Sequence, residues 1–393
     1  MILSRVKKGL RGTLLGVALP LLTHGLHAQP SDPQIAVQAA GNPSLTTLDW
    51  TTPTKYDTGA EPALAMHSTG LIVEVHQSES STNNSLWYHI GKLDRNTGKV
   101  SWGDSHTFIP EGDWPAVTMT KEGYVIIIYS DGFYNCCSNL RYIVGTVDPN
   151  GDTKQLIKFK TNSKGTRFDT GYHDSISVNS LGVIVEAHQS GQGGDGIFWK
   201  VGRLTNPDAG DFSLFWVGRE SGVRYDAGVD PKISINDNND VIEVHGVKGE
   251  SKLHYRRGKV YFNQNIEFES DHPRLESQGS RANVVLLNNS SIIEVNRRSI
   301  GIVYRTGALN GSGRGVTWSE PKPIDGTKDH FAPAIAADAT DACLHSEAPR
   351  KVGFSNPFTC GTRRPSCHRA AHKNRVRFRS VWVMEPLRYA HTS

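Results

Sequence analysis

The sequence has little from which to build helices, a disulfide framework or a membrane anchor. Five cysteines in 393 residues, two of them adjacent at Cys136 and Cys137, do not make the evenly spaced set that holds small secreted domains together. In an oxidising compartment the adjacent pair can instead close a strained eight-membered ring that stiffens its loop. Apolar residues at helical spacing are absent, which argues against bundles and α/β folds. After the run "TLLGVALPLL", which is itself too short, no segment is apolar enough for a membrane-spanning helix. Metal spacing is missing as well: Cys343, Cys360, Cys367, His368 and His372 are irregularly placed, and no cofactor motif stands out. A basic face is lacking too, despite the formal net charge of +4. The first 28 residues hold four basic residues and no acid, and residues 342–393 hold ten against two, so the stretch between is net −8. An acidic body disfavours nucleic acid as a partner.

What is present begins with an address. Arg5, Lys7, Lys8 and Arg11 precede the short apolar run, and "LHA" ends at Ala28, so residues 1–28 read as a signal peptide and 29–41 as a linker. A secreted or periplasmic location follows from that reading.

Self-similarity dominates the rest. "GAEPALAMHSTGLIVEVH" (59–76) aligns without gaps on "GDWPAVTMTKEGYVIIIY" (112–129), "GYHDSISVNSLGVIVEAH" (171–188), "GVDPKISINDNNDVIEVH" (228–245) and "GSRANVVLLNNSSIIEVN" (279–296). A sixth copy starts at His330 and loses the pattern. Each copy continues with an aliphatic residue, an aromatic and then Gly, placing Tyr88, Tyr142, Trp199, Tyr255 and Tyr304 in one slot. Trp102, Phe159, Trp216, Phe268 and Trp318 end the units. Repeats of 51 to 59 residues, each with four strand-like segments and Gly/Asn/Asp turns, are propeller blades. The expected fold is all-β: a six-bladed β-propeller over residues 42–340, with four-stranded antiparallel blades starting near 59, 112, 171, 228, 279 and 330. Trp50 stands nine residues before Gly59, as Trp102 stands ten before Gly112, so "LTTLDW" reads as an outer strand that closes an otherwise incomplete last blade.

Glu74 and His76 lie two apart in an apolar strand, hence on one face. Glu186/His188 and Glu243/His245 repeat them, Glu294 keeps half beside Asn296, and blade 2 has Ile127 and Tyr129 instead. A single active site needs one residue per role, so a pair in three blades reads first as a buried interblade contact. A repeated ligand pocket and an acid–base pair are the other readings.

Two resemblances follow. "GSGRGVTW" (311–318) resembles the Asp-box of sialidase-type propellers, matching at Gly315, Thr317 and Trp318 but with Gly311 and Gly313 for its Ser and Asp. In that family the box determines the fold of a hairpin. The unit pattern also resembles repeats of secreted bacterial lectin-type propellers, which implies sugars held on aromatic rings with polar partners. Candidates for such ligand binding are Trp87, His89, Trp114, Tyr129, Tyr134, Tyr172, His173 and Trp199. The expected function is carbohydrate or glycan binding at repeated shallow sites. A sialidase-like hydrolase at the central channel is the alternative, and a protein-interaction propeller the third class; symmetry separates them, since an enzyme needs unique acids and arginines on the axis.

From 341 the text changes to a basic, Arg-, Cys- and Pro-rich tail in mid-blade. A shifted reading frame produces such a change, and the other two frames of the DNA are then expected to encode "VVEVH"-like and "LWY"-like segments.

Overall fold

In the computed structural model, the described residues are Leu48, 56–349 with short interruptions, and 380–383. Tyr134, Cys136, Cys137 and Trp50 lie outside them. The fold is an all-β propeller with five complete blades. Each blade has three long antiparallel strands and an outer edge made of two short segments that both pair with the third strand. Blade 1 shows the plan: Ala60–Met66, Leu71–Gln77 and Leu86–Asp94, then Lys99–Trp102 and His106–Ile109. Inner strands of the others are Asp113–Met119, Tyr172–Val178, Val229–Ile235 and Ser280–Leu286.

Six blades were expected and five form. In place of a sixth, a three-stranded sheet of His330–Ala337, Cys343–Pro349 and Ser380–Val383 packs its first strand between the inner strands of blades 5 and 1. The physical reason is the changed text after 341, which offers neither the Tyr–x–x–Gly strand nor the closing aromatic. Asp338 still meets Arg95 of blade 1 in an ion pair.

The repeat motifs are cross-strand partners. Gly91, Gly145, Gly202, Gly258 and Gly307 lie directly opposite Trp102, Phe159, Trp216, Phe268 and Trp318. A Cβ at Gly91, Gly202 or Gly307 would fall 2.7 Å from the ring opposite. Glycine therefore lets the ring lie flat on the strand, which explains why the two signatures occur together.

The central residues of the second strands are buried, and alternate ones pack on neighbouring blades. Leu71, Val73 and Val75 of blade 1 join Val117, Val125 and Ile127 of blade 2, while Ile126 and Ile128 join Ile176 and Ile184 of blade 3. Each such side chain contributes about 1.5–3 kcal/mol on burial. Facing the smaller sheet, Leu64, Met66 and Ile72 of blade 1 share an apolar cluster with Ala334 and Ala336.

The slot aromatics fasten blade to blade. Tyr88 Oη accepts from Ile157 N at 3.3 Å and Tyr142 Oη from Leu214 N at 3.1 Å, each two residues before the next blade's closing aromatic. Tyr304 Oη accepts from Leu48 N at 3.4 Å. Leu48 also stands two residues before an aromatic, Trp50, and packs with Ile293, Tyr304 and Ile335.

Candidate functional site at the mouth of the central channel

Every complete blade begins with the same irregularity. The register of inner and second strands slips between Ala60 and Ala63, Asp113 and Ala116, Tyr172 and Ser175, Val229 and Lys232, and Ser280 and Asn283. Within each slip one residue is left-handed: Glu61 (φ 48°), Trp114 (47°), His173 (53°), Asp230 (52°) and Arg281 (52°). Such a conformation costs a non-glycine residue roughly 1–2 kcal/mol. A bulge re-aims its side chain, and here the five bulges line one mouth of a cavity of about 260 Å³ along the propeller axis. The smaller sheet offers Ala332 at the corresponding place. Five equivalent positions thus carry five different residues and four kinds of functional group.

They meet in pairs. Arg281 Nη1 donates to both oxygens of Glu61, at 2.7 and 2.9 Å, and His173 Nδ1 lies 2.6 Å from Asp230 Oδ1. The Trp114 ring stacks obliquely on His173, with centroids 4.6 Å apart, and meets Tyr172 edge-on at 5.2 Å. All four ion-pair side chains keep 21–27 % exposure, enough to face a ligand. Burial pushes the Asp230 carboxyl up, but the His173 charge and hydrogen bond, with Arg281 and Lys232, outweigh it and hold it well below the usual range. Burial lowers the Arg281 guanidinium, yet Glu61 and Asp230 raise it further than that.

Beside this ring Lys232 donates to the Asp174 carbonyl at 3.4 Å. Burial depresses its ammonium, against the opposing charges of Asp230, Glu61 and Asp174. Asp174 stands where three other blades have Pro62, Pro115 and Pro231. It is 1 % exposed, and neither carboxylate oxygen has a hydrogen-bond partner among the described residues. Burial raises it well above the carboxylate range, aided by Glu186. The two carboxyls lining the channel mouth, Asp230 and Asp174, are thus shifted in opposite directions.

Strain and chemistry can be separated at Trp114. Both Trp114→Ala and Trp114→Gly remove the ring, but only glycine accepts φ 47° freely. The glycine variant is expected to be more stable than the alanine variant by about 1 kcal/mol in urea titration. Equal stabilities would show that the bulge is relaxed.

The opposite end of the channel is laced. Asn179 Nδ2 donates to Asn236 O at 3.1 Å, Ser180 N to Asp237 Oδ1 at 2.7 Å, and Asp237 N to Asn288 Oδ1 at 3.0 Å, each crossing from blade to blade. These polar groups are thus committed to neighbours.

The repeated Glu/His residues lie elsewhere, on the face each second strand turns to the preceding blade. His76 Nδ1 donates to Glu74 at 2.8 Å, His188 to Glu186 at 2.9 Å and His245 to Glu243 at 3.0 Å, all with 2 % exposure or less. An aspartate completes each group. Asp169, in the outer edge of blade 2, is 3.8 Å from His188 Nε2 and 2.9 Å from Lys200 Nζ. Asp226, in the outer edge of blade 3, lies 4.0 Å from His245 and pairs with Arg256. In blade 5, Glu294 accepts from Asn296 at 3.2 Å and from Arg305 at 3.1 Å, and Arg305 donates to Leu275 O of blade 4 at 3.0 Å. Blade 2 replaces the group with Ile127, Tyr129 and Ile143, all buried. Complete replacement leaves no orphaned charge, as a structural ion cluster requires.

Burial pushes His188 and His245 down, but their glutamates and aspartates raise both imidazoles above 6.5 overall. Glu294 is pushed up to about 7 by burial, against Arg305 and Asn296.

The structure separates the sequence candidates. Trp114 and His173 are brought together at the channel mouth, with Tyr172 buried behind them. Tyr129 is 1 % exposed and donates to Lys164 O at 2.6 Å. Trp199 is packed in the core between blades 3 and 4, so neither ring has a face for a ligand. Trp87 is half-buried and donates to Ser85 Oγ, away from the channel. His89 joins Asp57 and His76 in a His/carboxylate cluster that no sequence spacing announces. Glu61, Asp230 and Arg281 are not among the sequence candidates, although one alignment column holds all the residues of the mouth; its position on the axis is visible only once the blades are closed.

No protein-family model and no curated protein sequence matches the chain. Solved structures do. A protein of unknown function from Dyadobacter fermentans superposes with a TM-score of 0.54 at 11 % identity, over 87 % of this chain and 98 % of its own. The Hadza microbial sialidase Hz136 gives a TM-score of 0.50 at 9 % identity, covering 73 % of this chain and 63 % of the sialidase. At such identities the likeness establishes the propeller fold. No described helix is long and apolar enough to cross a membrane.

Proposed function

We propose that the protein binds one carbohydrate ring at the mouth of the central channel, and that the leader 1–28 delivers it outside the cytoplasm to do so. The observation that carries this reading is the set of unlike side chains, Glu61, Trp114, His173, Asp230 and Arg281, held on strained bulges around one opening. A sugar needs an apolar face for its C–H groups and flanking donors and acceptors for its hydroxyls, and the mouth provides both. A volume of about 260 Å³ is below the ~300–1,000 Å³ of drug-sized sites, which fits a single ring at the entrance rather than a buried chain. Repeated lectin-type sites lose support, because the residues that recur from blade to blade are buried between blades.

A second reading, glycoside cleavage at the same mouth, is favoured by two carboxyls that line it and are shifted in opposite directions, Asp230 down and Asp174 up, as acid and base roles require. The sialidase neighbour is compatible with either.

Glycan-array screening followed by calorimetry tests the first reading. Trp114→Ala is expected to weaken binding by about tenfold or more, worth 1.4 kcal/mol, while Trp87→Ala leaves it unchanged. Absence of binding across a broad panel overturns it. Fluorogenic glycosides test the second: turnover abolished by Asp230→Asn with binding retained supports cleavage, and no turnover with firm binding rejects it.

A further inference from the structure

We propose that Asp57, His76 and His89 form a divalent-metal site, with zinc the best-fitting ion, which fastens the segment entering blade 1 to that blade. Asp57 Oδ2 lies 3.4 Å from His76 Nε2 and 2.5 Å from His89 Nε2, and the three ligand atoms fall within 4.8 Å of one another. Two imidazoles and one carboxylate are a common zinc donor set, and three protein ligands leave a fourth position for water.

Three further observations support the assignment. The first is orientation. A ligating imidazole must present one nitrogen to the metal while its other N–H is held by an acceptor. His76 Nδ1 is held by Glu74 at 2.8 Å, and His89 Nδ1 by the Gly103 carbonyl at 3.0 Å, so both Nε2 atoms converge on Asp57. Ser105 Oγ donates to the same Asp57 oxygen at 3.1 Å and orients the carboxylate.

The second is the comparison between blades. The position of His89 is filled by Lys200, Arg256 and Arg305 in blades 3, 4 and 5. In blades 3 and 4 this permanent cation contacts the aspartate that corresponds to Asp57. Blade 1 has the same two buried or half-buried carboxylates, Glu74 and Asp57, but an imidazole where the cation should be. A dication bound by that imidazole restores the missing charge, balancing both carboxylates with neutral histidines.

The third is access. His76 and His89 are 2 % and 4 % exposed, whereas the Asp57 side chain keeps 23 %. The ion enters past Asp57, and Tyr56, stacked on Trp102 at 4.6 Å and edge-on to His89 at 5.8 Å, walls the far side.

The full chain, freed of metal by a chelator and titrated with zinc chloride, is expected to bind one zinc per chain and to melt at higher temperature when loaded. His89→Arg, which installs the blade 4 arrangement, should fold, bind zinc at least a hundredfold more weakly and lose the zinc-dependent rise in Tm; Asp57→Asn should do the same. Cobalt loading separates this site from the cysteine-rich tail: a nitrogen–oxygen site gives d–d bands without thiolate charge transfer. Failure of the wild-type chain to bind zinc overturns the proposal. So does zinc binding that survives both variants or shows thiolate coordination.

Discussion

Lys200→Met is expected to lower the stability of the propeller by about 3–5 kcal/mol at neutral pH, read as a drop in the urea midpoint at unchanged slope. The substitution keeps most of the side chain's length and packing but withdraws the ammonium, which is 2 % exposed, from Asp169. Asp169, Glu186 and His188 would then share a buried interface with two carboxylates and no permanent cation. Leaving a buried charge uncompensated is far costlier than the net worth of the intact pair. Blade 2 supplies the control, because it holds the same interface with apolar residues. Combining Glu186→Ile, His188→Tyr, Lys200→Ile and Asp169→Ala should therefore recover more than half of the loss. A Lys200→Met protein as stable as the wild type would mean that the cluster is hydrated and that its charges hold nothing together.

Stability should fall as the solution is made more alkaline than about pH 4.5. Glu294 keeps its proton in the folded chain to about 7 but releases it near 4.5 when unfolded. Between those values folding takes up a proton, so stability declines with rising pH, by about 3 kcal/mol when complete. His188 and His245 act in the same direction. Their raised imidazoles contribute stability that is fully present below 6.5 and lost as pH climbs through the folded values. Asp226 and Asp230 act oppositely at the acid end. Burial pushes the Asp226 carboxyl up, but Arg256 and the Ala227 N–H hold it low overall. Both aspartates contribute stability present above 3.8 and lost as pH drops through their lowered values. Urea midpoints across pH should peak between 3.8 and 4.5, and Glu294→Gln should flatten the decline between 4.5 and about 7. Stability that climbs steadily from pH 5 to 9 would contradict these proton-linked assignments.

The blade repeat is legible in the sequence because its determinants are local. A glycine opposite an aromatic, a turn at fixed distance and a covered second strand recur with nearly constant spacing, and all are required for one sheet to pack on the next. The number of complete blades was less legible. Counting repeat starts gives six, but a start needs a third strand and a closing ring to become a blade, and after 341 those residues are not there. The site was legible only in part. Trp114 and His173 stand out as variable polar and aromatic residues, yet Glu61, Asp230 and Arg281 look ordinary until their left-handed backbone turns them to the axis. Likewise Glu74 and His76 are visible as a pair, whereas Asp57 belongs to a chain segment before the first repeat and His89 to the strand after. Aspartates do recur two residues before Gly59, Gly171 and Gly228, but nothing in that spacing says which side chains of the interface they meet.

Tyr304 and Leu48 are 256 residues apart in the chain. Their contact can form only after the third strand of blade 5 has emerged from the ribosome, so Leu48 must wait, unburied, until Tyr304 has been made. Such distant pairing makes assembly slow, since the entropy of gathering so long a loop is spent before any contact rewards it. Nascent chains halted short of Tyr304 would have no dock for Leu48, however well their individual sheets had formed.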